Sequence, residues 1–175
     1  AFVIQKDGFD RKLLVNDIRV RKENPYLSSP VIHNIAGDGS WYSEELILGT
    51  PINRLKDAEQ GKIAVKDVMT SLFQLYEKTA RKVNAAEYAL GIIDRIEERL
   101  QQCFCFDQET RENLLRDLSG LNKIIRRWQN KEIVVAQTHG DFQPANILLG
   151  EERSWLIDWE YTLERQIAYD GLVLA

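Results

Sequence analysis

Two short apolar runs, Ile147-Leu148-Leu149 and Trp155-Leu156-Ile157, flank the polar stretch Gly150-Glu151-Glu152-Arg153-Ser154. Such a pattern predicts two strands joined by a tight connection. Asn146 enters the first strand and Asp158 leaves the second. Closing the hairpin therefore brings an amide and a carboxylate side by side. Two oxygen ligands meeting at one point suit Mg²⁺, which takes such groups and keeps positions open for phosphate oxygens. Upstream lies His139-Gly140-Asp141-Phe142-Gln143-Pro144-Ala145-Asn146. Asp141 there is a separate carboxylate, free to face an acceptor hydroxyl. A plainer reading of Asp141 and Asn146 is as turn residues, since both types favour turns.

The length of 175 residues fits one domain, or one and part of another. Hydrophobic residues make up 44% and charged ones 29%, a soluble globular balance. A net charge of −4 provides no broad basic field, which argues against nucleic acid as the main partner. No apolar run approaches a membrane span and no signal-peptide pattern is present, so a cytoplasmic protein is expected. Cys103 and Cys105, within Cys-Phe-Cys-Phe, read as buried free thiols, because a bridge across one residue is awkward and His33 and His139 lie far off in sequence. Ala1-Phe2-Val3-Ile4 opens as if inside a strand, and Leu172-Val173-Leu174-Ala175 stops within an apolar pattern, so a longer protein is expected.

Along the chain, strands are predicted over Phe2 to Lys6, Val31 to Ile35 and Trp41 to Leu48, the last two joined by Ala36-Gly37-Asp38-Gly39-Ser40. A helix is predicted over Arg11 to Arg21, with Pro25 and Pro30 breaking the chain after it. Helical stripes follow. Ile63 to Lys78 aligns Val65, Val68, Met69, Leu72, Phe73 and Tyr76; Ala85 to Gln102 aligns Leu90, Ile93, Ile96 and Leu100. Glu109 to Gln129 aligns Leu114, Leu115, Leu118, Leu121, Ile124, Ile125 and Trp128. These stripes are expected to be core. Ile133 to Ala136 reads as the strand feeding the His139 loop.

The His139–Asn146 segment with the later Asp158-Trp159-Glu160 resembles the catalytic loop and metal-binding acid of the protein-kinase-like superfamily. Gly140, Gln143 and the short interval from Asp158 to Asp170 are similar to its aminoglycoside phosphotransferase and choline kinase branch, whose members phosphorylate small molecules. A protein kinase would place a long activation segment in that interval. The resemblance implies an α+β, two-lobed kinase-like fold. Its N-terminal β-rich lobe and hinge would be incomplete and span 1–48. The mostly helical C-terminal lobe, 49–175, would carry the catalytic loop on a small β-hairpin region.

The same resemblance implies roles. Asp141 would be the catalytic base or orienter of the acceptor hydroxyl. Asn146 and Asp158 would hold Mg²⁺ against the phosphates of ATP. His139 and Asp170 would support the loop. Lys6, paired with Asp17, would contact the nucleotide phosphates; a solvated lysine in a turn is the other reading of Lys6. Glu45-Leu46-Ile47-Leu48 would be the hinge, offering backbone groups of Glu45 and Ile47 to the adenine edge, or else a plain strand terminus. The expected activity is transfer of the γ-phosphate of Mg-ATP to a hydroxyl of an aminoglycoside, amino alcohol or sugar-like molecule. A glycine-rich phosphate loop is absent from the sequence. That absence favours the alternative, a nucleotide-binding pseudokinase or interaction module, while a retained Asp141 argues against it.

Overall fold

The computed structural model describes residues 1–4 and 10–175. Lys6, with Gln5, Asp7, Gly8 and Phe9, lies outside the described residues. The chain divides into two compact units, Ala1–Ala80 with Ala136–Ala175, and Arg81–Val135.

The larger unit begins with β1 (Phe2–Ile4) and α1 (Arg11–Glu23). Asp10 caps α1 by accepting from the Lys12 amide at 2.9 Å, and Arg21 and Lys22 complement the negative end of the helix dipole. β2 (Ile32–Ile35) and β3 (Trp41–Glu44) form the expected hairpin, and β1 pairs antiparallel on the other side of β3. β3 stops at Glu44, short of the expected Leu48, because its partners end there: Phe2 faces Ser43 and Ile32 faces Glu44. Leu14 and Ile18 of α1 pack on Tyr42, with Val3, Ile32 and Ile35 around them.

β4 (Thr50–Pro51) and a short 3₁₀ turn lead into α2 (Ala58–Thr79). The buried face of α2 is Ala64, Val68, Ser71, Leu72, Leu75 and Tyr76. That is the expected stripe in large part: Val68, Leu72 and Tyr76 are buried and Val65 and Met69 pack on the same core, whereas Phe73 is 53% exposed and Ser71 and Leu75 are buried instead. Leu72 and Leu75 are fully buried and contribute about 2 kcal/mol each. They share a core with Val20, Ala136, Phe142, Ile147, Leu156 and Trp159.

The smaller unit holds β5 (Arg81–Asn84), α3 (Ala85–Gln102), α4 (Gln108–Ile125) and the start of β6 (Glu132–Thr138), with β5 and β6 antiparallel. Asn84 and Asp107 cap the two helices. Its core is narrow: Ala86, Ile93 and Ile125, flanked by Ala89, Leu90 and Leu118. The expected burial of the α4 stripe is not observed, for Leu114, Leu121, Ile124 and Trp128 are all at least a third exposed. Leu118 and Ile125 are the α4 side chains in this core. Cys103 and Cys105 are joined as a disulfide rather than buried as thiols. The chain turns there after α3, bringing their Cα atoms to 5.6 Å and leaving Phe104 exposed.

After β6 the chain returns to the larger unit with β7 (Ile147–Leu149), β8 (Ser154–Leu156), β9 (Leu163–Gln166) and α5 (Tyr169–Leu174). β7 and β8 form the predicted hairpin, Ile147 opposite Leu156, and β4 adds to the β7 edge. No helix among the described residues is long and apolar enough to cross a membrane.

Candidate functional site

The site is assembled entirely within the larger unit. The last residues of β6 deliver His139 into the core, where its ring lies edge-on to Trp159 at 4.6 Å and near Phe142 at 6.2 Å. Its Nε2 is 2.9 Å from the Ile157 carbonyl, so Nε2 carries the proton, and Nδ1 accepts from the Asp141 amide at 3.3 Å. Burial pulls the imidazole well below its ordinary value, against the opposing charges of Asp170 and Asp141. A neutral ring with both nitrogens engaged tethers the β7–β8 end of the sheet to the loop.

Gly140 follows with φ +88°. A β-carbon there would overlap the Tyr161 carbonyl and sit 2.7 Å from Arg165 Nη1, so conformation and space both require glycine. Asp170, buried at the start of α5, accepts from the amides of His139 and Gly140, each at 2.8 Å, and from the Tyr76 hydroxyl at 2.7 Å. These bonds fix the bend that presents Asp141. Burial, then the Asp170 carboxylate, pushes the Tyr76 hydroxyl far above its ordinary value, so it stays a donor.

The Asp141 carboxylate is partly open. Its Oδ2 accepts from Asn146 Nδ2 at 2.9 Å and Gln143 Nε2 at 3.0 Å. The same Asn146 nitrogen also donates to the Asp141 carbonyl at 2.9 Å. With its nitrogen committed, the Asn146 side chain has its oxygen left to face a cation. The hairpin register sets Asn146 against Ile157, whose amide donates to the Asn146 carbonyl at 3.0 Å, with Asp158 the next residue.

Asp158 is the one non-glycine residue with positive φ among those described, at φ 64°, ψ 60°. Aspartate tolerates this left-handed conformation better than most residues, but it still costs energy. The residue is exposed to solvent. Its carboxyl is pushed up by partial desolvation first, then by the charges of Asp17, Asp141 and Glu44, which outweigh Arg21. Glu160 is raised as well, by desolvation and then by Asp158. Converging carboxylates that raise one another favour a bound cation. Among the described residues no cluster of three or more His, Cys, Asp or Glu could hold a metal on its own. A set of one amide and one carboxylate fits instead a cation that takes its other ligands from phosphate and water.

Asp17 is already occupied. One oxygen accepts from the Trp159 amide at 3.1 Å, and the other from Arg21 at 3.1 Å and the Tyr42 hydroxyl at 2.5 Å. Arg21 also binds Glu44 at 2.7 Å and the Pro30 carbonyl. Burial lowers the affinity of this guanidinium for its proton, but Asp17, Tyr42 and Glu44 more than offset it. The Glu45 amide donates to the Val31 carbonyl at 2.9 Å, and Glu45 to Leu48 with Arg153 and Trp155 line an open cavity of about 340 Å³. Ile47 is half-buried beside it.

Sequence reasoning missed Tyr76, Asn16, Arg21 and Tyr42. Arg21 left a readable signal, one helical turn after Asp17. The others act through partners distant in sequence, and nothing local marks them.

No protein-family model matches the sequence, and no curated protein matches it significantly. Solved structures do. A choline/ethanolamine kinase family protein from Mesorhizobium loti superposes with a TM-score of 0.59 at 15% identity, covering 99% of this chain and 56% of its own. A glucosamine kinase superposes with a TM-score of 0.51 at 13% identity, covering 98% of this chain and 50% of its own. The chain thus spans about half the length of these neighbours. At such identities the likeness is one of fold: this chain has the mixed helix-and-strand, kinase-like fold found in small-molecule phosphotransferases.

Proposed function

We propose that this chain carries the nucleotide- and metal-binding half of an ATP-dependent kinase whose acceptor is a hydroxyl of a small molecule. The observation that carries the reading is the hydrogen-bonded set of Asp141, Gln143 and Asn146 on one loop, with Asp158 brought up by the adjoining hairpin. Asn146 and Asp158 would hold Mg²⁺, which supplies charge neutralisation on the phosphates when bound. Asp141 accepts the proton of the acceptor hydroxyl, directly or as the attack proceeds. The amides of Gln143 and Asn146 occupy its Oδ2, which leaves Oδ1 to orient the incoming oxygen. Asp170, Tyr76 and His139 hold the loop so that this carboxylate is positioned before substrate arrives, and phosphoryl transfer depends chiefly on such positioning. The neighbours' names point to acceptors that combine a hydroxyl with an amino or ammonium nitrogen, such as choline, ethanolamine or glucosamine.

A second reading is a nucleotide-binding module without transfer; among the described residues Asp17 bonds Arg21, Tyr42 and the Trp159 amide. A screen of amino alcohols and amino sugars for ATP consumption separates the two, with Asp141→Asn as the blank. Turnover is expected to fall by about 10²–10⁴ in Asp141→Asn while Mg-nucleotide binding persists. Equal turnover in both proteins removes the proposed base. Mg-dependent nucleotide binding with no turnover of any acceptor selects the second reading.

A further inference from the structure

The turn that begins at Asp158 is gripped from α1 by two consecutive side chains. Asn16 donates through Nδ2 to the carbonyls of Glu160 and Thr162, each at 2.9 Å. Asp17 accepts from the Trp159 amide at 3.1 Å. One side chain thus satisfies the acceptors of the turn and its neighbour satisfies the donor. Both are themselves oriented. Arg19 Nη2 donates to Asn16 Oδ1 at 2.8 Å, which fixes which way the amide faces. Arg21 and the Tyr42 hydroxyl hold the other Asp17 oxygen. Each of these three bonds from α1 goes to the backbone of the turn, so the grip acts on conformation whatever the side chains of the turn are.

What needs holding is visible in the same place. Asp158 sits in the left-handed region. Left to itself, a single 3₁₀ turn over Trp159–Tyr161 would have little reason to keep that backbone. We propose that Asn16 is a positioning residue for the Asp158 carboxylate: it clamps the Trp159–Thr162 turn to α1 and thereby sets the cation-binding geometry. This rests on the kinase reading of Asp158. It adds that helix α1 governs the affinity for Mg-nucleotide through an amide outside the binding set, rather than only through an acid directed at phosphate.

The test is Asn16→Leu, which keeps the side-chain size, does not lower helix propensity, and removes the donor without adding charge. Two readouts apply. In protein free of metal and nucleotide, hydrogen exchange over 158–163 is expected to accelerate while α3 and α4 are unchanged. In calorimetry with ADP at varied Mg²⁺, the Mg²⁺ needed for half-saturation is expected to rise on the order of 10-fold, the usual effect of removing a residue that orients a metal ligand. Asn16→Gln, which restores the donor on a longer stem, should recover part of both. A folded Asn16→Leu protein with the wild-type Mg²⁺ requirement overturns the proposal. So does an Asn16→Leu protein that melts lower yet binds Mg-ADP normally, since that marks a merely structural bond. Should Asn16→Leu fail to fold, Arg19→Ala, which leaves the donor but frees its orientation, takes its place with a smaller rise expected and an unchanged requirement counting against the clamp. Wild-type protein that binds no ADP at any Mg²⁺ concentration overturns the kinase reading itself, an outcome distinguishable from failure of the clamp alone.

Discussion

Around the Asp141 loop the core carries buried, hydrogen-bonded polar side chains among its apolar ones, whereas the α3–α4 pair rests on a few apolar side chains. His139, Asp170, Asn146 and Asp17 are buried and hydrogen-bonded, several of them to backbone amides. In α3–α4 the buried contact reduces to Ala86, Ile93 and Ile125, and the outer side of α4 shows Leu121, Ile124 and Trp128 to solvent. Satisfied buried networks specify one arrangement, because each lost partner leaves a desolvated group behind. A thin apolar contact tolerates change. The loop region is therefore built for geometry and the helical pair is built with slack.

The same substitution in the two regions sharpens that contrast most. Gly140→Ala forces a side chain into the Tyr161 carbonyl at a backbone angle that L-residues avoid. A loss of about 2–4 kcal/mol is expected by chemical denaturation, together with loss of Mg-nucleotide binding. Retention of stability would mean that the Gly140 bend is not needed to present Asp141.

Acid provides the next contrast. Burial holds the His139 imidazole below its ordinary 6.5, so the folded state binds its proton less readily than the unfolded chain. Stability from this group is fully present above pH 6.5 and is lost as pH falls from there towards the folded value, with a slope of at most about 1.4 kcal/mol per pH unit. Asp158 and Glu160 act in the opposite sense, since protonation relieves their raised carboxyls, but only nearer the carboxylate range. The Arg81–Val135 unit has no histidine. Its Asp107, lowered by the Thr110 amide and hydroxyl, loses its contribution only below about 3.8. Hydrogen exchange between pH 7 and pH 5.5 should therefore show α2 losing protection while α3 and α4 keep theirs. Loss in both units together would break the comparison.

The sequence made the β7–β8 hairpin readable because apolar runs and a polar turn leave few alternatives. It also made the order Asp141, Asn146, Asp158 readable, since those residues follow one another along the chain. On α2 the burial of Leu75 and exposure of Phe73 were not readable. A broad apolar stripe admits several phases, and the contacts of Val68, Leu72 and Leu75 with Ile147, Leu156 and Trp159 choose among them. β5 was missed because Arg81-Lys82-Val83-Asn84 has no apolar alternation; pairing with β6 makes it a strand. The bonds of Asn16 to Glu160 and Thr162, in the turn after the left-handed Asp158, join residues more than a hundred positions apart. No local pattern records such a bond.

Smaller effects test the slack itself. Gly120 lies inside α4, and a β-carbon added there would have no neighbour within 4 Å, so Gly120→Ala meets no obstacle. A gain of about 0.5–1 kcal/mol is expected from helix propensity, opposite in sign to Gly140→Ala.

Leu121 is the finest probe. It is 46% exposed on the outer side of α4, next to Ile124 at 47%. Glutamine has nearly the same helix propensity and length, so Leu121→Gln should change stability by no more than about 0.5 kcal/mol in denaturant titrations. Such tolerance requires solvent to be the neighbour of that side chain. A loss well beyond this range would mean that Leu121 is covered in solution. The outer side of α4 would then be a buried surface, the exposed Ile124 and Trp128 would share it, and the looseness assigned to the helical pair would belong to an unfilled interface instead.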